Sequence, residues 1–195
     1  ILGHVRPDGD CLGPALGLYN YIRSFRPDIR TAVYLEEASP KFAYLKGFEE
    51  IRHRTDDESY RLCICVDSSD RERLGEFAVY LDRAQASLCL DHHVTNTGYG
   101  ECSVVEAGAS STCEVLFGQM DEKYIDKSVA ECLYTGIVHD TGVFKFSCTS
   151  PKTMEIAGRL MGKGVDFGNI IDDSLYRKTY IQHQILGRAL VENIT

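Results

Sequence analysis

Several features common in other protein classes are scarce or missing in this 195-residue sequence. No apolar run approaches the roughly 20 residues of a membrane span, and no signal peptide is visible. Basic residues are outnumbered, with 21 Lys and Arg against 29 Asp and Glu and a formal charge of −8. That balance is a poor match for the basic surface with which proteins bind duplex nucleic acid. The sequence also lacks internal repeats and low-complexity tracts.

The eight cysteines lack the spacing of a metal or redox motif. No Cys-x-x-Cys pair occurs, and Cys63 and Cys65 alternate within an apolar run, as buried strand residues do. Disulfide frameworks are typical of smaller, secreted proteins. We therefore expect free thiols, a reducing compartment and a cytoplasmic location.

The chemical centre is predicted in the stretch from His4 to Asp10. Apolar residues precede it, and the residues after it repeat apolar side chains at helical spacing, which predicts a turn from a strand into a helix. Pro7 and Gly9 suit such a turn, and Asp10 is a reasonable cap for the helix. The imidazole of His4 and the carboxylates of Asp8 and Asp10 converge there. Taken alone, the stretch is explained equally well by a capped helix with a solvated acidic turn.

Two further apolar runs end in groups of the same chemistry. Residues 61–66 stop at Asp67, and residues 87–90 are followed by three side chains that can bind metal, Asp91, His92 and His93. The carboxyl ends of parallel strands lie side by side at one edge of a sheet, so these groups can meet although they are far apart in the sequence. Coincidence explains one apolar run that ends in such residues, whereas three such runs indicate a site.

Short β-rich runs alternate with helical patterns along the chain. The helical patterns are long enough for crossovers, which predicts an α/β fold with a doubly wound, mainly parallel sheet flanked by helices. Ligands bind beyond the carboxyl ends of the strands in that architecture. A further carboxylate, Asp140, follows a predicted helix that begins at Asp126, and Gly142 can close the turn after it.

The order of these groups resembles the four motifs of the DHH phosphoesterase superfamily. The matching pieces are His4-x-x-Pro7-Asp8-x-Asp10, the strand end at Asp67, Asp91-His92-His93 and Asp140-Thr141-Gly142. Within the superfamily, the bacterial oligoribonuclease and pAp phosphatase branch is the most similar, through GHVRPDGDCLGPALGL, DHHVTN, ASSTCEVL and DTGVFKFS. The resemblance extends over nearly the whole chain.

The resemblance implies two divalent metal ions, expected to be Mn²⁺. Zn²⁺, Mg²⁺ and Co²⁺ also suit such ligands. Two ions that each take about five or six ligands could share one carboxylate and fill the rest with water and phosphate oxygens. The implied ligands of one ion are His4, Asp8 and Asp67, and those of the other are Asp10, His92 and Asp140, with Asp67 bridging both.

The same resemblance implies roles for residues around the ions. His93 is similar to the histidine that contacts the scissile phosphate, so that His93 and Asp67 are the implied catalytic residues, although His93 could be a packed structural histidine. Asp91 would orient a ligand histidine, with direct ligation as the alternative. Further candidates for contacts with substrate or phosphate are Arg6, Asn96, Ser110, Ser111 and Thr112. Surface exposure explains the arginine equally well, and capping explains the other four.

The implied activity is hydrolysis of short RNA oligonucleotides to nucleoside monophosphates, with dephosphorylation of pAp as a second reaction. The alternatives are a phosphodiesterase for c-di-AMP or pApA, a family II inorganic pyrophosphatase, and a non-catalytic nucleotide-binding module. Retention of all the implied ligands argues against the last, because clustered carboxylates without metal would repel one another. The expected partners are short single-stranded RNA or a small nucleotide, and relatives in the superfamily imply a homodimer.

We expect residues 1–170 to form the catalytic domain and residues 171–195 to form a helical linker. Members of the branch carry a C-terminal domain with a glycine-rich segment that ends in histidine, and the sequence has no such segment. The sequence also begins inside a predicted strand. Our expectation is therefore a piece of a longer protein.

Overall fold

The computed structural model describes residues 1–193 and is built around a parallel β-sheet. Its continuous strands are β1 (Leu62–Val66), β2 (Ala86–Asp91) and β3 (Cys102–Val105), which pair in that order. The register places Cys65 opposite Cys89 and Leu90 opposite Val104. Both pairings are parallel, so the carboxyl ends of all three strands lie at one edge.

Single-residue bridges extend the sheet on the far side of β1. Leu2 pairs with Cys65, Tyr34 pairs with Leu2, and Arg52 pairs with Tyr34, all in parallel. Numbered along the chain, the extended segments therefore lie in the spatial order 3-2-1-4-5-6. The chain changes its direction of travel across the sheet between the segment at Leu2 and β1. This is the topological switch point, beside which doubly wound α/β folds bind their ligands.

Seven α-helices occur within residues 1–193. They are α1 (Gly9–Phe25), α2 (Ala78–Arg83), α3 (Thr112–Gln119), α4 (Lys127–Asp140), α5 (Pro151–Met161), α6 (Phe167–Ile171) and α7 (Tyr180–Asn193). Short 3₁₀ turns form at Pro40–Phe42, Phe48–Glu50, Glu72–Phe77 and Glu122–Tyr124, and a π turn at Asp172–Tyr176. None of the helices in this range is both long and apolar enough to cross a bilayer.

The alternation of side chains along β1 shows that helices cover both faces of the sheet. Ile64 and Val66 belong to a large core that includes residues of α1, α3, α4 and α5. Cys63 and Cys65 belong to a smaller core with Phe77 and residues of α2. Successive strand residues point to opposite faces, so the two cores lie on opposite sides of the sheet. The predicted doubly wound α/β architecture is confirmed.

Caps direct the helices that carry the predicted site residues. Asp8, and not Asp10 as the sequence indicated, caps α1, because its Oδ1 accepts hydrogen bonds from the N–H groups of Asp10 and Cys11, each at 3.1 Å. Asp10 instead lies buried in the first turn. Ser111 caps α3 and Asp126 caps α4 through their side chains.

Some elements are shorter than their sequence patterns predict. Residues 71–83 form no single helix, because Gly75 adopts φ 57° and ψ −139° and kinks the 3₁₀ segment Glu72–Phe77 that precedes α2. Residues 31–35 contribute only the bridge at Tyr34. The predicted helix over residues 167–192 is interrupted by the π turn and by the extended backbone at Arg177. Residues 194 and 195, the end of the predicted linker, lie outside the described residues.

Candidate metal centre

The carboxyl edge of the sheet brings together side chains from separate segments. His4 follows the bridge at Leu2, Asp67 follows β1, and His92 follows β2. Asp67 adopts φ 52°, which is uncommon for a residue with a side chain, and its N–H donates to the carbonyl of Leu90 at 3.1 Å. Strained backbone conformations of this kind persist only where the surrounding structure holds them in place, and they cluster at functional sites.

His4, Asp8 and Asp67 form the first group of potential ligand atoms. One atom from each lies within 4.8 Å of the others. Nε2 of His4 is 3.4 Å from Oδ2 of Asp67 and 3.6 Å from Oδ1 of Asp8. Nδ1 of His4 lies 2.8 Å from the carbonyl oxygen of Val5, which can only accept, so Nδ1 carries a proton and Nε2 faces the carboxylates. The Asp8 side chain is 62% exposed and opens this group to solvent.

Asp10, His92 and Asp140 form the second group, again with one atom from each within 4.8 Å of the others. Nε2 of His92 lies 3.0 Å from Oδ2 of Asp140 and 3.7 Å from Oδ2 of Asp10. Asp140 is the last residue of α4, and the chain turns back immediately after it through Gly142 at φ 54°. The turn predicted at this glycine is therefore present.

Asp67 lies between the two groups. Its Oδ2 is the atom near His4, whereas its Oδ1 is 3.7 Å from Nε2 of His92. The two carboxylate oxygens thus face different groups, and the structure brings together all the side chains that the sequence pattern predicted as metal ligands.

The electrostatics of the cluster fit a cation. Burial, followed by the charges of Asp67 and Asp140, raises the pKa of Asp10 well above its usual value. Burial also raises the pKa of Asp140, with a contribution from Asp67 and opposition from His92. Burial alone would lower the pKa of His4, but Asp67 and Asp8 outweigh it and raise that pKa. Crowded carboxylates with imidazole nitrogens between them form a donor set that suits divalent transition metals.

The first turn of α3 supports the carboxylates from the protein side. The N–H of Thr112 donates to Oδ2 of Asp10 at 2.7 Å, and its hydroxyl donates to Oδ1 of Asp67 at 2.8 Å. The N–H of Cys113 donates to Oδ1 of Asp10 at 3.3 Å. Donors at a helix N-terminus stabilise negative charge, so α3 holds these two aspartates in orientation.

This arrangement differs from the phosphate contacts expected at residues 110–112. Thr112 is fully buried and uses both donors on carboxylates. Ser111 is buried and caps α3, and the hydroxyl of Ser110 donates to Glu114 at 2.7 Å. Three side chains predicted to face substrate therefore have partners inside the protein. Glu114 was missed, although Ser111 and Glu114 have the Ser-x-x-Glu spacing of a capping box, which could have drawn attention to it.

Asp91 holds His93 and not His92, contrary to the expectation that it orients a ligand histidine. Oδ1 of Asp91 lies 2.8 Å from Nδ1 of His93, whereas Nδ1 of His92 faces the carbonyl of Ala109 at 3.4 Å. The hydrogen bond to Asp91 is the main cause of a raised pKa at His93. Within residues 1–193, Nε2 of His93 has no hydrogen-bond partner, and the side chain is 32% exposed. His93 can therefore approach a molecule bound at the cluster.

Asn96, predicted to contact substrate, instead forms a hydrogen bond with Asp91, the partner of His93. Its Nδ2 donates to Oδ2 of Asp91 at 2.7 Å and to the carbonyl of Ser68 at 3.1 Å, and its Oδ1 accepts from the N–H of Gly98. These bonds use both N–H donors of the amide and leave only the second lone pair of Oδ1. Asn96 is thus directed at Asp91 and not at the opening of the site.

Two other charged or titratable residues lie beside the cluster. Arg6 is exposed at φ 55°, with its N–H donating to Oε2 of Glu36 at 2.7 Å, and its guanidinium forms no ion pair within residues 1–193. His139 neighbours Asp140 in sequence but is directed elsewhere, since its Nε2 lies 2.9 Å from Oγ of Ser174. Arg6 remains available for phosphate, and His139 is a structural residue.

Fold and site together define a doubly wound α/β protein with a candidate dinuclear metal centre at its switch point. The chain belongs to the DHH family: the model of the DHH family N-terminal domain matches residues 1–137. The resemblance drawn from the four motifs is therefore confirmed.

Relatives place the chain more closely within the family. It is 32% identical over 165 residues to the bifunctional oligoribonuclease and PAP phosphatase NrnA of Bacillus subtilis, covering 81% of this chain and 50% of the relative. It is 28% identical over 190 residues to the protein of the same name from Thermus thermophilus, covering 91% and 53%. The chain thus spans about half the length of these curated relatives.

A solved structure shows the same fold. The crystal structure of an exopolyphosphatase-related protein from Bacteroides fragilis matches with a TM-score of 0.89 at 24% identity, covering 97% of this chain and 59% of that chain. At this identity the likeness bears on the fold alone.

Proposed function

We propose that this chain carries the catalytic centre of a phosphoesterase that releases nucleoside monophosphates from short RNA oligonucleotides and dephosphorylates pAp. The observation that carries the proposal is the position of Asp67, whose two oxygens face two separate groups of potential ligands. The names of the relatives support this substrate class over cyclic dinucleotides, pyrophosphate or a non-catalytic role.

The proposed ligands form two sets that share one aspartate. They are His4, Asp8 and Asp67 for one ion, and Asp10, His92, Asp140 and the same Asp67 for the other. Mn²⁺ is the proposed ion, and Mg²⁺ or Co²⁺ would also accept this set of nitrogen and oxygen donors. When bound, such ions supply an activated water nucleophile and positive charge opposite the phosphoryl oxygens.

The side chains of the protein contribute orientation and a proton. Asp91 fixes the ring of His93 and favours its charged form, which leaves Nε2 free to donate to the phosphoryl or the leaving oxygen. Thr112 keeps Asp10 and Asp67 oriented by donating to both. Arg6 is the proposed phosphate contact on the exposed side, since a guanidinium fork matches phosphate oxygens.

A cytoplasmic location accompanies this proposal. All the cysteines are free, and six of the eight are buried, where they pack as small apolar side chains. A reducing compartment suits such thiols. The expected homodimer stays a prediction.

Metal binding and turnover test the proposal together. Isothermal titration of the metal-free chain with Mn²⁺ should show two ions per chain. Hydrolysis by the full-length protein should then be measured with dinucleotides, five-nucleotide RNA, pAp, c-di-AMP and pyrophosphate, with short RNA and pAp as the expected substrates. Absence of metal binding would overturn the proposal, and two bound ions without turnover of any phosphodiester would favour the non-catalytic module.

A further inference from the structure

Glu114 is a buried carboxylate that belongs to none of the groups of potential metal ligands. It occupies the first turn of α3 and is only 2% exposed. Its Oε2 accepts hydrogen bonds from the hydroxyl of Ser110 and from the hydroxyl of Thr153, each at 2.7 Å. Thr153 is fully buried near the start of α5. Glu114 therefore connects the N-termini of two helices.

This geometry departs from an ordinary capping box. In that motif the glutamate reaches back to the backbone N–H of the capping residue, here Ser111. Ser111 does accept from the N–H of Glu114 at 3.1 Å, but the carboxylate of Glu114 reaches past it to Ser110 and across to Thr153. The carboxylate thus forms a contact between helices as well as one within a helix end.

Burial of a carboxylate costs free energy unless hydrogen bonds or a counter-charge compensate for the lost hydration. The only cation within 4 Å among residues 1–193 is Lys152, whose Nζ is 3.6 Å from Oε1 and whose side chain is about half exposed. A buried anion with so weak a counter-charge is stabilised mainly by hydrogen bonds, and an apolar side chain would avoid the desolvation cost. The contribution of Glu114 therefore lies in the geometry that it imposes.

The helical turn that Glu114 holds in place is also in contact with the candidate metal centre. Thr112, two residues before Glu114 in the same helical turn, donates to both Asp10 and Asp67. A rotation or shift of this turn would displace the backbone donors of Thr112 and Cys113 relative to the carboxylates. Hydrogen bonds lose most of their strength outside a narrow range of distance and angle, so a small displacement is enough to release Asp10 and Asp67.

We propose that Glu114 and Thr153 form a brace that positions the first turn of α3 and, through it, the carboxylates of Asp10 and Asp67. Neither Glu114 nor Thr153 belongs to a group of potential metal ligands, so both are positioning residues. The inference deepens the proposed function and rests on it, because it assigns a control on metal affinity to a pair of residues outside the ligand set.

Substitutions at the start of α5 separate this role from simple helix capping. Thr153→Val removes the hydroxyl that bonds Glu114 and that also accepts from the N–H of Ser150 in the capping box of α5, and Thr153→Ser keeps both bonds. Ser150→Ala is the control for capping of α5, because Ser150 accepts from the N–H of Thr153 and lies 3.0 Å from its hydroxyl but does not contact Glu114. Thr153→Val should weaken Mn²⁺ binding by about 10-fold, at the lower end of the effect of removing a residue that holds a metal ligand. Thr153→Ser should restore it, and Ser150→Ala should leave it within about twofold of the parent.

A readout on the metal-free chain makes the test independent of the proposed function. Amide hydrogen exchange at Thr112 and Cys113 should accelerate about 10-fold in Thr153→Val, whereas exchange at Val129, at the start of α4, should not change. Glu114→Met serves as the second variant if Thr153→Val fails to fold. It should loosen the same two amides, because it removes Oε2, the oxygen on which the hydroxyl bonds of Ser110 and Thr153 converge. Glu114→Gln can place its amide oxygen at that position and should behave like the parent.

The outcomes distinguish the two proposals. Failure of the parent chain to bind Mn²⁺ overturns the proposed function, and the brace is then judged on exchange at Thr112 and Cys113. Unchanged exchange and unchanged Mn²⁺ affinity in Thr153→Val overturn the brace. Equal weakening of Mn²⁺ binding by Ser150→Ala does so as well, because the effect would then come from the cap of α5.

Discussion

Gly136 lies so close to Asp10 that a Cβ at position 136 would be 2.5 Å from Oδ1 of Asp10. Both Gly136 and Asp140 belong to α4, and residues four apart share one face of a helix. One face of α4 therefore leaves room for Asp10 at Gly136 and supplies a second potential ligand, Asp140. The missing side chain at position 136 is as much a part of the site as the carboxylates are.

Gly136→Ala should disrupt the second group. The added methyl would also collide with Sγ of Cys113 in α3, so α4 must shift away from both α1 and α3, or the side chains of Asp10 and Cys113 must both move. We expect the free energy of unfolding to fall by about 1–3 kcal/mol, as for other overpacked cores, and Mn²⁺ affinity to fall with it. Gly118→Ala is the control, because a Cβ there meets no atom within 4 Å. Urea unfolding and titration calorimetry measure both quantities, and equal behaviour of the two variants would contradict the close approach.

Asp67→Ala should affect both groups at once. Each group would lose one ligand atom, so we expect neither ion to be held at parental affinity and turnover to disappear, while far-UV circular dichroism stays unchanged. Asp57→Ala removes the same charge from an exposed position and should alter neither property. Two bound ions and a near-normal rate in Asp67→Ala would rule out the bridging position.

His93→Ala should separate chemistry from metal binding. Because His93 belongs to neither set of proposed ligands, we expect two ions to remain bound while the chemical step slows by about 10²-fold, the usual contribution of a positioned proton donor. Single-turnover kinetics with saturating Mn²⁺ measures this step. An unchanged rate would remove His93 from the mechanism.

Asp91→Asn should shift the pH profile toward acid. The hydrogen bond that Nδ1 of His93 donates to Asp91 is the main cause of the raised pKa of His93, so weakening that bond lowers the pKa. If His93 acts in its protonated form, the alkaline limb of the rate profile moves to lower pH in the variant, and activity at low pH is retained. The profile of kcat/KM against pH provides the measurement, and an alkaline limb that does not move would assign the proton donor elsewhere.

His139 should make the metal-free protein less stable in acid. Burial, with a smaller effect from Lys41, lowers the pKa of His139 from 6.5 to about 4. The unfolded chain therefore binds a proton that the folded chain does not between these values. Stability is fully present above pH 6.5 and falls as the pH drops toward about 4, by up to about 3 kcal/mol.

His139→Gln should flatten that dependence. Unfolding by urea in the presence of EDTA, from pH 7 to pH 4, gives the difference between variant and parent, in which the other histidines cancel. His183→Gln changes an exposed histidine and should follow the parent curve. Parallel curves for His139→Gln and the parent would show that His139 does not control the acid limb.

The sequence was sufficient to predict which segments meet, because strand ends in a parallel sheet share an edge. It could not choose between Asp8 and Asp10 as the cap of α1, since both carboxylates stand at a suitable distance from the first free amides. The partner of Asp91 was equally open, because His92 and His93 are adjacent. Asn96 and Thr112 were predicted to contact substrate because they lie near the motifs in the sequence. The direction in which such a polar side chain points is not known until the fold is known.

Long-range pairing explains the other differences. The bridges at Tyr34 and Arg52 involve single residues, which leave no periodic pattern in the sequence. The bond between Glu114 and Thr153 joins residues 39 positions apart. Such contacts depend on how helices pack, and local spacing carries no information about them.

The seam at the topological switch point, where the segment at Leu2 pairs with β1, has a consequence for how the protein unfolds. His4 and Asp8 come from the start of the chain, whereas Asp67, His92 and Asp140 come from segments much later in the sequence. An ion bound there would therefore link the start of the chain to these later segments. Any fluctuation that opens the seam must release the ion, and metal in solution opposes that opening by mass action. The concentration of the metal that binds there would then change the free energy of unfolding of the chain.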